Sequence, residues 1–173
     1  MTAIQRKFVD IYIVNADTDP SALASTDIVK GEITQYSKSG GEDDAETVHA
    51  FGGDISKDKP RSQIELSFEI TPSMEEADRW DKLVYGLTNG VYVSNKSVGD
   101  KAIFIQAKNG SSFKTHAFNN CNSVNWDWQH EADDNRTGTF SFKLSPESRT
   151  GIANHMTAAS GATSLPNWST LIP

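Results

Sequence analysis

The fold is decided between Pro60 and Gly86, in the stretch PRSQIELSFEITPSMEEADRWDKLVYG. In its first half Ile64, Leu66, Phe68 and Ile70 alternate with Gln63, Glu65, Ser67, Glu69 and Thr71, the period-two pattern of a strand with one dry and one wet face. The wet face is acidic. Pro72 stops the strand, and Ser73 and Glu76 then stand at capping-box spacing, where each side chain satisfies an orphan backbone N–H at a helix start. The predicted helix spans residues 73–86. Met74, Ala77, Trp80, Leu83 and Val84 fall on one side of it, and Gly86 is placed to terminate it. Phe68, Ile70, Trp80, Leu83 and Val84 are therefore expected to pack strand against helix.

Outward from this unit the chain reads as strands. Before it, FVDIYIV (Phe8–Val14) predicts a first strand, residues 15–27 a polar loop with one helical turn at Pro20–Leu23, and IVKGEITQY (Ile28–Tyr36) a second strand. Residues 37–60 contain two Gly-Gly pairs around a modest strand, Thr47–Phe51, with acidic residues Glu42–Glu46 at one end and Lys57, Lys59 and Arg61 at the other. Two readings stay open for this segment: an extended arm whose charges meet those of a neighbouring subunit, or a solvated hairpin of mixed charge. After the helix, Val91–Ser94 and Ala102–Ala107 read as strands, and Asn109-Gly110 signals a tight hairpin because both residues tolerate positive φ. Ser112–Phe118, Ser123–His130 and TGTFSFKL (Thr137–Leu144) complete the set. Val124, Trp126 and Trp128 share a face, and pairing it with Phe140, Phe142 and Leu144 places both tryptophans in the core. The expectation is a mainly β domain over residues 1–144, a β-sandwich or barrel-like structure with one flanking α-helix, an extended arm and an extended C-terminal tail over residues 145–173. Leu165, Trp168, Leu171 and Ile172 make that tail too apolar for a solubilising tail, so part of it should dock.

Composition narrows the function classes. A chain of 173 residues favours one domain, and its 36% hydrophobic content suits a protein rich in turns and edges that finds partners by self-assembly. A formal charge of −7 argues against gripping phosphate backbones. The amino terminus lacks the apolar core of a signal peptide, no apolar run approaches the roughly 18 residues of a membrane helix, and the lone Cys121 forms no internal disulfide. The expectation is a soluble, cytoplasmic product with no membrane partner.

Catalytic and metal chemistry find no constellation, so the chain reads as a non-enzyme without cofactors. His49, His116, His130 and His155 are scattered, without HExxH or comparable ligand spacing. Cys121 needs a nearby histidine, His116 or His130, to act as a nucleophile, and a lone cysteine in a strand-rich chain is more often a buried small hydrophobe. The pairs Asp17/Asp19 and Asp43/Asp44 lack the glycine and terminal glutamate of a calcium loop, and neither Gly-Gly pair carries phosphate-loop spacing. Trp126 and Trp128, two apart on one strand, offer an alternative as stacking surfaces of a monomeric carbohydrate-binding sandwich.

The alternating strand, the Pro-Ser break and the run EEADRWDKLVYG (Glu75–Gly86) together resemble the major tail tube proteins of long-tailed bacterial and archaeal viruses. The amino-terminal strand, the glycine-bounded arm and the late strand TGTFSFKL are similar to the plan of that family. The resemblance implies a structural virion protein, located in the viral tail and in host cytoplasm during assembly, which stacks as hexameric rings around a channel for the genome. Its implied partners are other copies of itself, tape-measure and tail-terminator proteins, and viral DNA that transits without specific binding. On that plan Asp10, Glu32, Glu65 and Glu69 line an acidic lumen that repels phosphate. Gly40, Gly41, Glu42, Asp43, Asp44, Phe51, Gly52, Gly53, Lys57 and Lys59 of the arm make contacts between subunits. A tube protein of a contractile or type VI secretion-like system shares the fold and differs in its partners.

Overall fold

The computed structural model describes residues 9–27, 29, 33–41, 44–50, 53–59, 62–71, 77–94, 99–109, 112–130, 132, 137–145, 154–157 and 165–168. Its strands are β1 (Val9–Asn15), β2 (Ile33–Ser39), β3 (Asp44–Ala50), β4 (Gly53–Lys59), β5 (Ile64–Ile70), β6 (Gly86–Thr88), β7 (Val91–Val93), β8 (Lys101–Asn109), β9 (Ser112–Gln129), β10 (Thr137–Leu144) and β11 (His155–Thr157), with one helix, α1 (Ala77–Val84). The chain is mainly β, as its alternation predicts.

Seven strands form one antiparallel sheet in the order β1-β8-β9-β10-β5-β2, with β11 also paired to β9. β9 is the spine. The sequence reading divides it into two strands at residues 119–122, whereas the structure carries one long strand through this region. Asn120 adopts φ 56°, a left-handed conformation that asparagine tolerates, and register shifts occur opposite it on β8 and again between Ser141 and Phe142 on β10. These irregularities bend β9 so that its first half pairs with β8 and its second with β10, and the sheet folds over on itself. Ile11, Ile103, Ile105 and Phe118 from the first half thus share a core with Ile64, Leu66, Phe68, Ile70, Phe140, Phe142 and Leu144 from the second. The result is a two-layered β structure made from one continuous sheet.

α1 closes one end of this core. Trp80 is fully buried with its ring 5.5 Å from Phe140, Leu83 is buried and Val84 partly so. Residues 72–76, which contain the predicted capping box, lie outside the described residues. Gly86 opens β6 instead of ending the helix, whose last residue is Val84. β6 and β7 form a hairpin across Asn89-Gly90, with φ 51° and 76°. This is Asn-Gly chemistry of the kind predicted at 109–110, at a place where the sequence reading sets no turn; Gly110 itself lies outside the described residues.

The outer side of the β1–β8–β9 half is covered. Ala102, Phe104 and Ala117 pack there with Met156 of β11 and with Trp168, whose ring lies 5.7 Å from Phe104. Trp168 donates its indole N–H to the Thr18 carbonyl at 2.8 Å and its backbone N–H to Asp19 Oδ1 at 3.1 Å. Asn119, with no exposed surface, exchanges two hydrogen bonds with Asp17, and its backbone N–H donates to the Asn154 carbonyl. The predicted tail thus docks through His155–Thr157 and Leu165–Trp168. Leu171 and Ile172 lie outside the described residues.

Candidate functional site

The other outer face, formed by β9, β10, β5 and β2, carries an ordered polar surface. Residues directly across a ladder share a face, so the register sorts the side chains into rows. One row runs Asp127, Thr139, Glu69, Gln35; the next Asn125, Ser141, Ser67, Ser37; the third Asn122, Lys143, Glu65, Ser39. Every position is polar. Hydroxyls and amides dominate, and the charged groups are the carboxylates of Asp127, Glu69 and Glu65 and the ammonium of Lys143. Lys143 Nζ lies 3.6 Å from Glu65 Oε2, with both side chains more than 40% exposed, a pair worth about 0–1 kcal/mol. At the acidic end Asn125 donates its amide N–H to Asp127, and a shallow depression of about 440 Å³ is lined by Thr34, Glu69, Thr71, Asp127 and Trp128. The rows are polar and net acidic, with Ser141 buried among them and Trp128 at their acidic edge, and their charge is unsuited to gripping an anion.

Glu65 and Glu69 stand on this face. Asp10 does not. It lies on β1 with only 6% of its surface exposed, on the strand side of Tyr12 and Val14, which the 18–27 loop and Trp168 segment cover. Period-two alternation marks Asp10 as outward, but here outward leads into a second core. Glu32 lies outside the described residues. The sequence reading missed Asp127 and Lys143. Their signal was alternation opposite Trp126 and Phe142, combined with pairing that places β9 and β10 beside β5.

The two tryptophans do not form a stacking platform. Trp126 is buried, with its ring 5.7 Å from Phe140 and its indole N–H donated to Asp81 Oδ1 at 3.2 Å. Trp128 is 52% exposed, so its assignment to the core is corrected. It stands opposite Gly138, where a Cβ would collide with the Trp126 ring, so the glycine makes room for the buried tryptophan. Phe68 and Ile70 are buried in the shared core.

The arm is a separate two-stranded hairpin. β3 pairs with β4 so that Asp44 faces Lys59 and Glu46 faces Lys57 in the register, which brings the two charged ends of the segment across from one another. Its neck is built by Gly40 and Gly41, at φ 75° and 81°, with Gly41 N–H donated to the Ser62 carbonyl at 3.1 Å. A Cβ at Gly40 would lie 1.9 Å from the Gln63 carbonyl oxygen, so only glycine fits. Gly53, Lys57 and Lys59 lie on β4, whereas Glu42, Asp43, Phe51 and Gly52 lie outside the described residues.

Cys121 is wholly buried, and burial together with Asp100 pushes its thiol well above the usual range, which holds it in the inert thiol form. Asp17 and Asp19 are engaged with Asn119 and Trp168. Among the described residues no group of three or more His, Cys, Asp or Glu is arranged to hold a metal ion, and no helix is long and apolar enough to cross a membrane.

The fold is thus a folded-over antiparallel sheet with one helix against its core, a separate two-stranded hairpin and a polar outer face. The chain is similar to one in the sheath–tube complex of an extracellular contractile injection system, PVC, in its extended state. The TM-score is 0.54 at 12% identity, covering 91% of this chain and 92% of that one. A chain of the anti-feeding prophage (AFP) baseplate gives a TM-score of 0.47 at 10% identity, covering 92% and 94%. At 12% identity what the first likeness shows is the fold alone. No protein-family model and no curated protein sequence matches.

Proposed function

We propose that this chain is the subunit of a hollow tube in a phage-tail-like contractile injection system, with the rows from Asp127 to Ser39 turned toward the channel. The observation that carries the reading is the likeness, over almost the whole of both chains, to a chain of a sheath–tube complex. The polar rows support the assignment of the channel face. Three carboxylates against one ammonium keep a polyanion or an acidic protein from adhering, and hydroxyl and amide groups offer no apolar foothold. Self-association is part of the proposal, because β2 is an edge strand of the large sheet and the β3–β4 hairpin that follows it is a separate sheet. The role is structural, without catalysis.

Electron microscopy of the purified protein tests this directly. Hollow tubes or stacked rings are expected, and a protein that stays monomeric at every concentration and salt condition overturns the reading. Removing residues 44–59 while keeping the Gly40–Gly41 neck should leave a folded body that no longer forms tubes; tubes of ordinary length from that variant would exclude the hairpin from assembly. The tail tube of a virus without a sheath is the second reading, favoured by the resemblance of Glu75–Gly86 to viral tail tubes. Tape-measure and terminator partners and transit of DNA belong to it. Decoration of the tube by a co-purifying sheath protein separates the two.

A further inference from the structure

A cluster of titratable groups lies away from the polar rows, where β11 meets β9. His116 on β9 and His155 on β11 both reach the hydroxyl of Thr157: His116 Nδ1 lies 3.1 Å and His155 Nε2 3.3 Å from Oγ1. The His155 ring stacks on Phe118 at 4.8 Å and 3°, and His116 lies nearly parallel to the same phenyl at 6.5 Å and 13°. Among the described residues the charges acting on the rings are cationic, Lys38 from β2 and Lys114 from β9, while β8 presents uncharged Ile103 and Ile105 in register.

The hydroxyl carries one proton and two lone pairs, so it bonds both imidazoles in either protonation state, and what protonation changes is the charge gathered around it. When both rings are protonated, two cations meet across a single oxygen, both half-exposed rings partly out of water and the lysines adding like charge. Stacking on Phe118 attracts a protonated His155, but that phenyl is one partner against two like charges and the desolvation of both rings. β11 is short: among the described residues it pairs with β9 over three, with Asn154 before it bonded to Asn119, and Met156 between the two polar side chains leads into the cluster that seats Trp168.

We propose that His116 and His155 form a proton-operated latch: with the rings neutral β11 stays zipped to β9, and protonation of the pair releases β11 together with the tryptophan-anchored segment beyond it. Release would bare Ala102, Phe104 and Ala117, turning a covered face into an apolar surface. Burial first, then Lys114 and Lys38, hold His116 below the ordinary histidine value; burial, then Lys38 and His116, do the same for His155. The undocked state therefore binds more protons. Docking stability is fully present above about pH 6.5 and is lost as pH falls below it through the folded-state values. The latch does not depend on the tube reading.

Hydrogen exchange of the full chain, followed by mass spectrometry at pH 7.5 and 5.0 with correction for intrinsic rates, tests it. Peptides covering residues 154–168 should exchange roughly tenfold faster at pH 5.0, while those of β5 and β10 stay protected. In His116→Gln/His155→Gln this difference should vanish. If that variant fails to dock its tail even at pH 7.5, Lys38→Gln decides, because removing the facing charge should make the acid-induced loss shallower. Full protection of wild type at pH 5.0 overturns the latch. So does an unchanged loss in a docked double variant, or an unchanged pH dependence in Lys38→Gln.

Discussion

The two outer faces of the folded sheet are built from the same alternation and end in opposite environments. On β5 and β10 the outward residues, Glu65, Ser67, Glu69, Thr139, Ser141 and Lys143, form a polar surface. On β8 and β9 the outward residues, Ala102, Phe104 and Ala117, are buried beneath Met156 and Trp168. A strand facing a second layer on both sides loses its alternation, which is why Ala102–Ile105 is a continuous buried run whereas β5 keeps a strict two-residue period. The comparison also shows where each face draws its stability. The covered side uses a distant chain segment as a third layer, while the bare side needs only backbone pairing and the core behind it.

Substitutions on the two faces should therefore differ sharply. Phe104→Ala removes a ring sandwiched between the sheet and Trp168, and calorimetry should record a loss of about 3–5 kcal/mol. A loss under about 1 kcal/mol would mean that the third layer is not held tightly. Trp168→Ala should cost about 3 kcal/mol and expose residues 154–168 to proteolysis before the body unfolds, because the indole both fills the cluster and satisfies the Thr18 carbonyl. Simultaneous global unfolding would make the covering segment part of the main cooperative unit. Asn119→Ala leaves the Asp17 backbone N–H without its side-chain acceptor and should cost about 1–3 kcal/mol in denaturant titrations. On the bare face, Glu65→Lys with Glu69→Lys should shift stability by less than about 1 kcal/mol, since both side chains are solvated and the Lys143 pair is weak. That double change reverses the sign of the surface. Slower passage of a polyanion through assembled tubes is the expected functional result, and unchanged passage would remove these rows from the channel.

Much of the body was legible because its residues carry local signals. Ile64–Ile70 reads as a two-faced strand from its own alternation, and the spacing of Trp80, Leu83 and Val84 marks the buried side of α1 without knowledge of its partner. The candidate site was half legible. Glu65 and Glu69 announce a wet face, but Asp127 and Lys143 join it only because β10 pairs with β5 on one edge and β9 on the other. Asp10 looks identical to Glu65 by period and differs because other chain covers it. Trp128 shares its parity with Trp126 but is 52% exposed, whereas Trp126 packs on Phe140 and over Gly138.

Taken alone, the sequence determined what depends on neighbours along the chain: strand periods, the amphipathic helix, and glycine at the neck of the hairpin, where the backbone takes positive φ. Only the tertiary structure decided which outward faces stay wet. Burial depends on what arrives from far away in the chain, and a two-residue period records that a side chain points outward without recording whether water or Trp168 awaits it.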